Sequence, residues 1–83
     1  MTRTYTVLHD FMTTLIYVKG DCPHCRRALE ALEAGGVRAI VYDVDAERQV
    51  IPELLKLTRG RRVVPVIVEG TRVRIAPDGG SAF

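Results

Sequence analysis

The sequence predicts an α/β fold in the order β-α-β-α-β-β, with a four-stranded mixed sheet flanked by helices. Three observations carry that prediction. An apolar, partly β-branched run, Leu15-Ile16-Tyr17-Val18, passes through Lys19-Gly20-Asp21 into a segment of helical spacing. A second apolar run, Ile40-Val41-Tyr42, is followed by a second segment of helical spacing. An apolar run, Val63 to Val68, is joined by Glu69-Gly70 to the alternating Arg72-Val73-Arg74-Ile75, the mark of an antiparallel hairpin.

Eighty-three residues make one small domain. Residues 1–12 are read as a loosely attached N-terminal extension, and 13–83 as the single compact domain. Tyr5, Val7 and Leu8 offer a short strand within the extension, and Met12 is a workable alternative start for the domain. The net charge of +2, from 12 basic and 10 acidic residues, is too mild to argue for a nucleic-acid or membrane partner. Five aromatic residues, Tyr5, Phe11, Tyr17, Tyr42 and Phe83, give no stacking platform for bases. No apolar stretch is long enough to span a bilayer, and His9 and Asp10 interrupt the only candidate for a signal-peptide core. A reducing, cytoplasmic location is the expectation, with the chain acting as a monomer.

The elements follow in order. Thr13 to Val18 reads as a buried strand, and Lys19-Gly20-Asp21 as a turn. Pro23 suits the first position of a helix, where its missing N–H is not needed. Cys25, Ala28, Leu29 and Leu32 then repeat at helical spacing while Arg26, Arg27, Glu30 and Glu33 take the outer face, until Gly35-Gly36 ends the helix. Val37 to Asp43 is the second strand, centred on Ile40, Val41 and Tyr42. The second helix carries Val50, Ile51, Leu54, Leu55 and Leu57; it either starts near Pro52 or kinks there, and Gly60 closes it. Val63 to Val68 is an apolar strand interrupted by Pro65, which marks an edge or a strand start. Arg72 to Ile75 alternates as the last strand, its arginines on the outer face, and Pro77-Asp78-Gly79-Gly80 forms a final turn.

The chemistry lies in Cys22 and Cys25, which have no other cysteine to pair with. Cys22 stands where the first helix begins, so free backbone N–H groups and the positive helix end favour its thiolate. Lys19 is expected to add positive charge; Asp21 opposes it and His24 supports it. Cys25, one turn on and within the apolar stripe, should be the more buried and less reactive. The roles follow: Cys22, the exposed nucleophile, forms a mixed disulfide, and Cys25 resolves it. A structural zinc site would need four ligands, and only His9 and His24 remain to join the cysteines, so no metal is expected.

Three separated features resemble the glutaredoxin family within the thioredoxin-like superfamily, over roughly residues 13–81. They are Val18-Lys19-Gly20-Asp21-Cys22-Pro23-His24-Cys25, the pair Val64-Pro65, and Gly79-Gly80. The resemblance implies a thioredoxin-like fold and a thiol–disulfide oxidoreductase, with glutathione as reductant or co-substrate. It implies that Val64–Pro65 is cis and faces the cysteines, leaving the Val64 backbone to pair with an incoming peptide or glutathione. It also implies carboxylate-binding roles for Lys19 and, as candidates, Arg61 and Arg62, with Pro23, His24, Gly79, Gly80 and Ser81 around the same substrate. The chain departs from the family in having His24 where a larger aromatic is usual, and Val63 where threonine is usual. It also has only Ser81-Ala82-Phe83 where an acidic residue and a final helix are usual. That short form is similar to a small glutaredoxin-like subgroup in which selenocysteine sometimes replaces the first cysteine.

The expected partners are disulfide-containing proteins or glutathione mixed disulfides. Two alternatives stand beside this. One is a dedicated electron donor to a single reductase or peroxidase, regenerated by thioredoxin reductase. The other is a module holding an iron–sulfur cluster between two subunits, which Pro23 disfavours.

Overall fold

The computed structural model describes residues 13–83; the reading of residues 1–12 as an extension lies outside the described residues. Strand β1 (Thr14–Val18) leads into helix α1 (Pro23–Ala34), then strand β2 (Ala39–Asp43). A single 3-10 turn (Arg48–Val50) precedes helix α2 (Ile51–Thr58). Four strands follow: β3 (Val63–Val64), β4 (Val66–Glu69), β5 (Arg72–Ile75) and β6 (Ser81–Ala82).

The main sheet has the order β2-β1-β4-β5. β1 pairs parallel with β2, and α1 connects the two. β4 pairs antiparallel with both β1 and β5, the second pairing being the hairpin. The mixed four-stranded sheet of the thioredoxin-like fold is therefore present.

Register assigns the faces. Ile16 lies opposite Ile67, and Ile67 opposite Arg74, so these three share one face. Ala28 and Leu32 of α1 line a cavity of about 250 Å³ with Ile67 and Arg74, which places α1 over that face. Tyr17 lies opposite both Tyr42 and Val66 and belongs to the other face. There the two tyrosine rings meet at 5.5 Å, and Glu53 of α2 acts on the Tyr17 hydroxyl. Burial first, then Glu53 and Tyr42, raises the Tyr17 pKa above its usual value, in keeping with a packing role. Ile16, Val18, Leu32, Val44, Leu54, Val64, Val66 and Ile67 are the buried core between these layers.

Several local expectations change. The second strand begins at Ala39 rather than Val37, and its central Ile40 and Val41 stay 48% and 46% exposed because β2 is the sheet edge. Pro52 sits in the first turn of α2, so the helix starts there and is not kinked. Arg59, not Gly60, is the first left-handed residue that ends α2, at φ 58°; Gly60 follows at φ 90°. The apolar run Val63–Val68 is two strands, not one. They part at Pro65, and β3 leaves the main sheet to pair with β6. The stretch after Gly80, read as chain following a final turn, is strand β6.

Candidate active site: a dithiol between a helix start and a short strand

The Val18-to-Pro23 connection sets the first cysteine. Asp21 takes a left-handed conformation at φ 61°, which turns the chain from β1 toward the helix axis. Cys22 is extended, at φ −133° and ψ 101°, and acts as the N-cap of α1. Pro23 occupies the first turn, where a missing N–H costs no hydrogen bond. The Cys22 Sγ thus takes the place a serine or aspartate oxygen usually has, and accepts the Cys25 N–H at 3.1 Å. The Cys22 carbonyl accepts from Arg26 N–H at 3.1 Å, so the same residue opens the helix with both backbone and side chain.

The two thiols, both free, move in opposite directions. Burial pushes the Cys22 thiol up, but its hydrogen bonds outweigh burial and hold it below the usual 9.0. The Cys25 amide donates to the sulfur at 3.1 Å, and the Cys25 thiol, the Ser81 hydroxyl and the His24 amide also lower its pKa. Cys25 is pushed up to about 12, first by burial and then by donating to Cys22, while the Lys19 backbone and charge pull weakly the other way. The expected polarity of the pair is therefore built by hydrogen bonds at Cys22 and chiefly by burial at Cys25. Lys19 acts on Cys25 through its backbone and its charge.

Cys22 is not exposed, as a nucleophile was expected to be. It is 4% exposed and Cys25 2%. Ser81 pairs antiparallel with Val64 and Ala82 with Val63, and from that position Ser81 helps to lower the Cys22 pKa. The Val64–Pro65 peptide is cis, and both residues are fully buried beside the site.

The remaining candidate residues gather around the same segment. Lys19 Nζ donates to the Ala82 carbonyl at 3.2 Å. Arg62 Nε donates to the Phe83 backbone oxygen at 3.0 Å, and its guanidinium lies 4.7 Å from the Phe83 ring centre. Arg61 is exposed and points to none of these groups; its carbonyl accepts the Thr58 hydroxyl at 2.7 Å. His24 packs on Gly79: a side chain at Gly79 would meet His24 Cε1 at 2.8 Å, and Gly79 has φ 105°, so glycine suits the position twice over. The buried His24 Nδ1 has no hydrogen-bond partner. A shallow cavity of about 170 Å³ opens beside it, bounded by Arg27, Ala28, Pro65 and Pro77. Pro23 is exposed at the helix start. Among the described residues, no group of three or more His, Cys, Asp or Glu side chains is placed to hold a metal ion.

Sequence reasoning assigned Ser81 to a substrate and missed that it reaches Cys22. It also missed Thr58, which ties the end of α2 to the segment leading into β3. Neither has a motif to announce it; both are made by chain segments meeting in the fold.

Residues 14–73 match a protein-family model described as Glutaredoxin. The crystal structure of a glutaredoxin from Archaeoglobus fulgidus is similar, with a TM-score of 0.70 and 28% sequence identity, over 98% of this chain and 88% of that one. No curated protein matches the chain. No helix among the described residues is long and apolar enough to cross a membrane.

Proposed function

The chain belongs to the glutaredoxin family, and from that membership we propose a dithiol mechanism in which Cys22 is the attacking thiolate and Cys25 the resolving thiol. The supporting observation is the opposed polarity of the pair: one sulfur surrounded by donors and held below 9.0, the other pushed up to about 12. Thiol–disulfide exchange needs that asymmetry, because the attacking sulfur must be a thiolate and the waiting sulfur must not compete.

The first step joins Cys22 Sγ to one sulfur of the substrate and expels the other as a thiolate, which takes up a proton. The negative charge on Cys22 is thereby removed. Cys25 no longer donates a hydrogen bond to a thiolate, so one of the influences that raised it is gone. Its proton leaves, its sulfur attacks Cys22 Sγ, and the second substrate thiol departs. Two electrons have moved from the dithiol to the substrate, leaving a Cys22–Cys25 disulfide and two substrate thiols. An external thiol such as glutathione, or a reductase, returns the pair to the dithiol form.

The substrate is a protein disulfide or a glutathione mixed disulfide. The reductant is glutathione or a thioredoxin reductase; the cations suited to a glutathione carboxylate, Lys19 and Arg62, bind the Ala82 and Phe83 carbonyls while residues 82–83 are in place. Turnover with glutathione and its reductase, set against turnover with thioredoxin reductase, separates the two routes. In either, Cys22→Ser abolishes turnover. Cys25→Ser keeps exchange with glutathione mixed disulfides and loses reduction of protein disulfides. Full activity in Cys22→Ser would falsify the assignment.

A further inference from the structure

The segment 79–83 makes its contacts with groups that face the dithiol or lead to it. Gly79 lies on His24, and Gly80 lies so close to the Val64 carbonyl that a side chain there would also meet Val63 Cγ2 at 2.8 Å and Ala76 Cβ at 2.9 Å. Ser81 and Ala82 form the ladder with β3. Phe83 N–H donates to the Arg62 carbonyl at 3.3 Å, and the Phe83 oxygen accepts from Arg62 Nε. Cys22, whose thiolate Ser81 helps to hold, is only 4% exposed.

A thiolate attacks a disulfide along the S–S axis, so the target sulfur must reach Sγ directly. That requires one of the groups around Sγ to move. The helix amides cannot move without unwinding α1. β6 is two residues long, and β3 is its strand partner. When it lifts, the edge of β3 is uncovered together with Lys19 and Arg62. An unpaired strand edge flanked by cations is suited to an extended chain that pairs through its backbone and presents carbonyl or carboxylate oxygens.

We propose that residues 81–83 occupy the strand position that a disulfide substrate must take, so that an extended disulfide-bearing segment enters by replacing them along β3. The identity of the substrate rests on the proposed thiol–disulfide function; the closure of Cys22 does not. Lifting the segment has two effects of opposite sense on the sulfur. It opens access, and it takes away the Ser81 donor that helps to hold the thiolate.

The test is the pH profile of Cys22 alkylation by iodoacetamide in the reduced full chain, followed by mass spectrometry. Gly80→Ala displaces the segment by steric conflict with Val64. Phe83→Pro displaces it by removing the N–H bonded to Arg62 and the ring beside the guanidinium. Ser81→Ala leaves the segment in place and removes only the hydroxyl. In Gly80→Ala and Phe83→Pro the high-pH plateau rate rises about tenfold, the change expected when the closed form holds about nine molecules in ten, and the midpoint moves to higher pH. In Ser81→Ala the midpoint moves up and the plateau stays. A plateau unchanged in both Gly80→Ala and Phe83→Pro overturns the proposal, and if either variant fails to fold the other decides. Alkylation needs no turnover. A raised plateau in a chain inert toward disulfides upholds the closure and overturns the proposed function instead.

Discussion

The Cys22 sulfur receives hydrogen bonds from two sides that differ in what holds them. On the helix side the donors are the amides of His24 and Cys25 and the Cys25 thiol, fixed by a twelve-residue helix whose Leu32 is buried in the core. On the strand side the donor is Ser81, fixed by a two-residue ladder, two cation-to-carbonyl bonds and two close-packed glycines. The first side keeps its shape while the protein is folded. The second can depart while the fold persists. The difference teaches that a nucleophile can be activated by a permanent arrangement and gated by a removable one, with both acting on the same atom.

The largest effect that sharpens this contrast is on stability. Leu32→Ala empties a core position on the helix side and should cost about 2–5 kcal/mol. A urea midpoint close to that of Phe83→Ala would mean the two sides are equally anchored and would break the comparison.

Next comes the pH dependence of the fold. Cys25 has a pKa of about 12 in the folded chain against an ordinary 9.0, so the unfolded chain loses its proton first. Cys25 therefore favours the fold fully below pH 9.0, and that contribution is lost as pH rises from 9.0 to about 12. Cys22, held below 9.0, has the opposite sense: its contribution is full above 9.0 and is lost as pH falls through its lowered value. Denaturant midpoints taken across pH 9.0 to 12 should fall less steeply in Cys25→Ser than in the parent chain. Equal slopes would remove Cys25 from the account.

The smallest effect concerns what holds the strand side in place. Thr58 is buried and donates to the Arg61 carbonyl at 2.7 Å, next to the arginine that holds Phe83. Thr58→Val should cost about 0.5–1.5 kcal/mol, the net worth of the part-buried hydrogen bond it removes. It should also raise the Cys22 alkylation rate modestly. A loss of stability with no change in that rate would separate the α2 end from the gate.

The same division marks what could be read from the sequence. Strand, turn and helix from Thr14 to Ala34 were legible because each signal is local: Pro23 fits the first helical turn, Cys25, Ala28, Leu29 and Leu32 repeat at helical spacing, and Gly35-Gly36 stops it. The cysteines were legible for the same reason. β6 was not. Ser81-Ala82-Phe83 has no alternation to announce a strand, and its pairing depends on Val63–Val64 having left the main sheet at Pro65. A reading that kept Val63 to Val68 as one strand had no free partner to offer it. The influence of Ser81 on Cys22 was hidden with it, because that residue arrives from the far end of the described chain. The exposure of Ile40 and Val41 was equally hidden, since an apolar run does not say whether its strand will be central or an edge.

Pairing β3 with β6 in a sheet separate from the other four strands has a further consequence. No ladder bond of the large sheet needs to break when the small one opens, so the two are distinct units of local unfolding. In deuterated water the amides of the β3–β6 ladder would exchange through a shallow opening, while those of β1 and β4 would wait for the whole domain to unfold. The backbone would thus keep two clocks, and the faster one would time how often the dithiol is open.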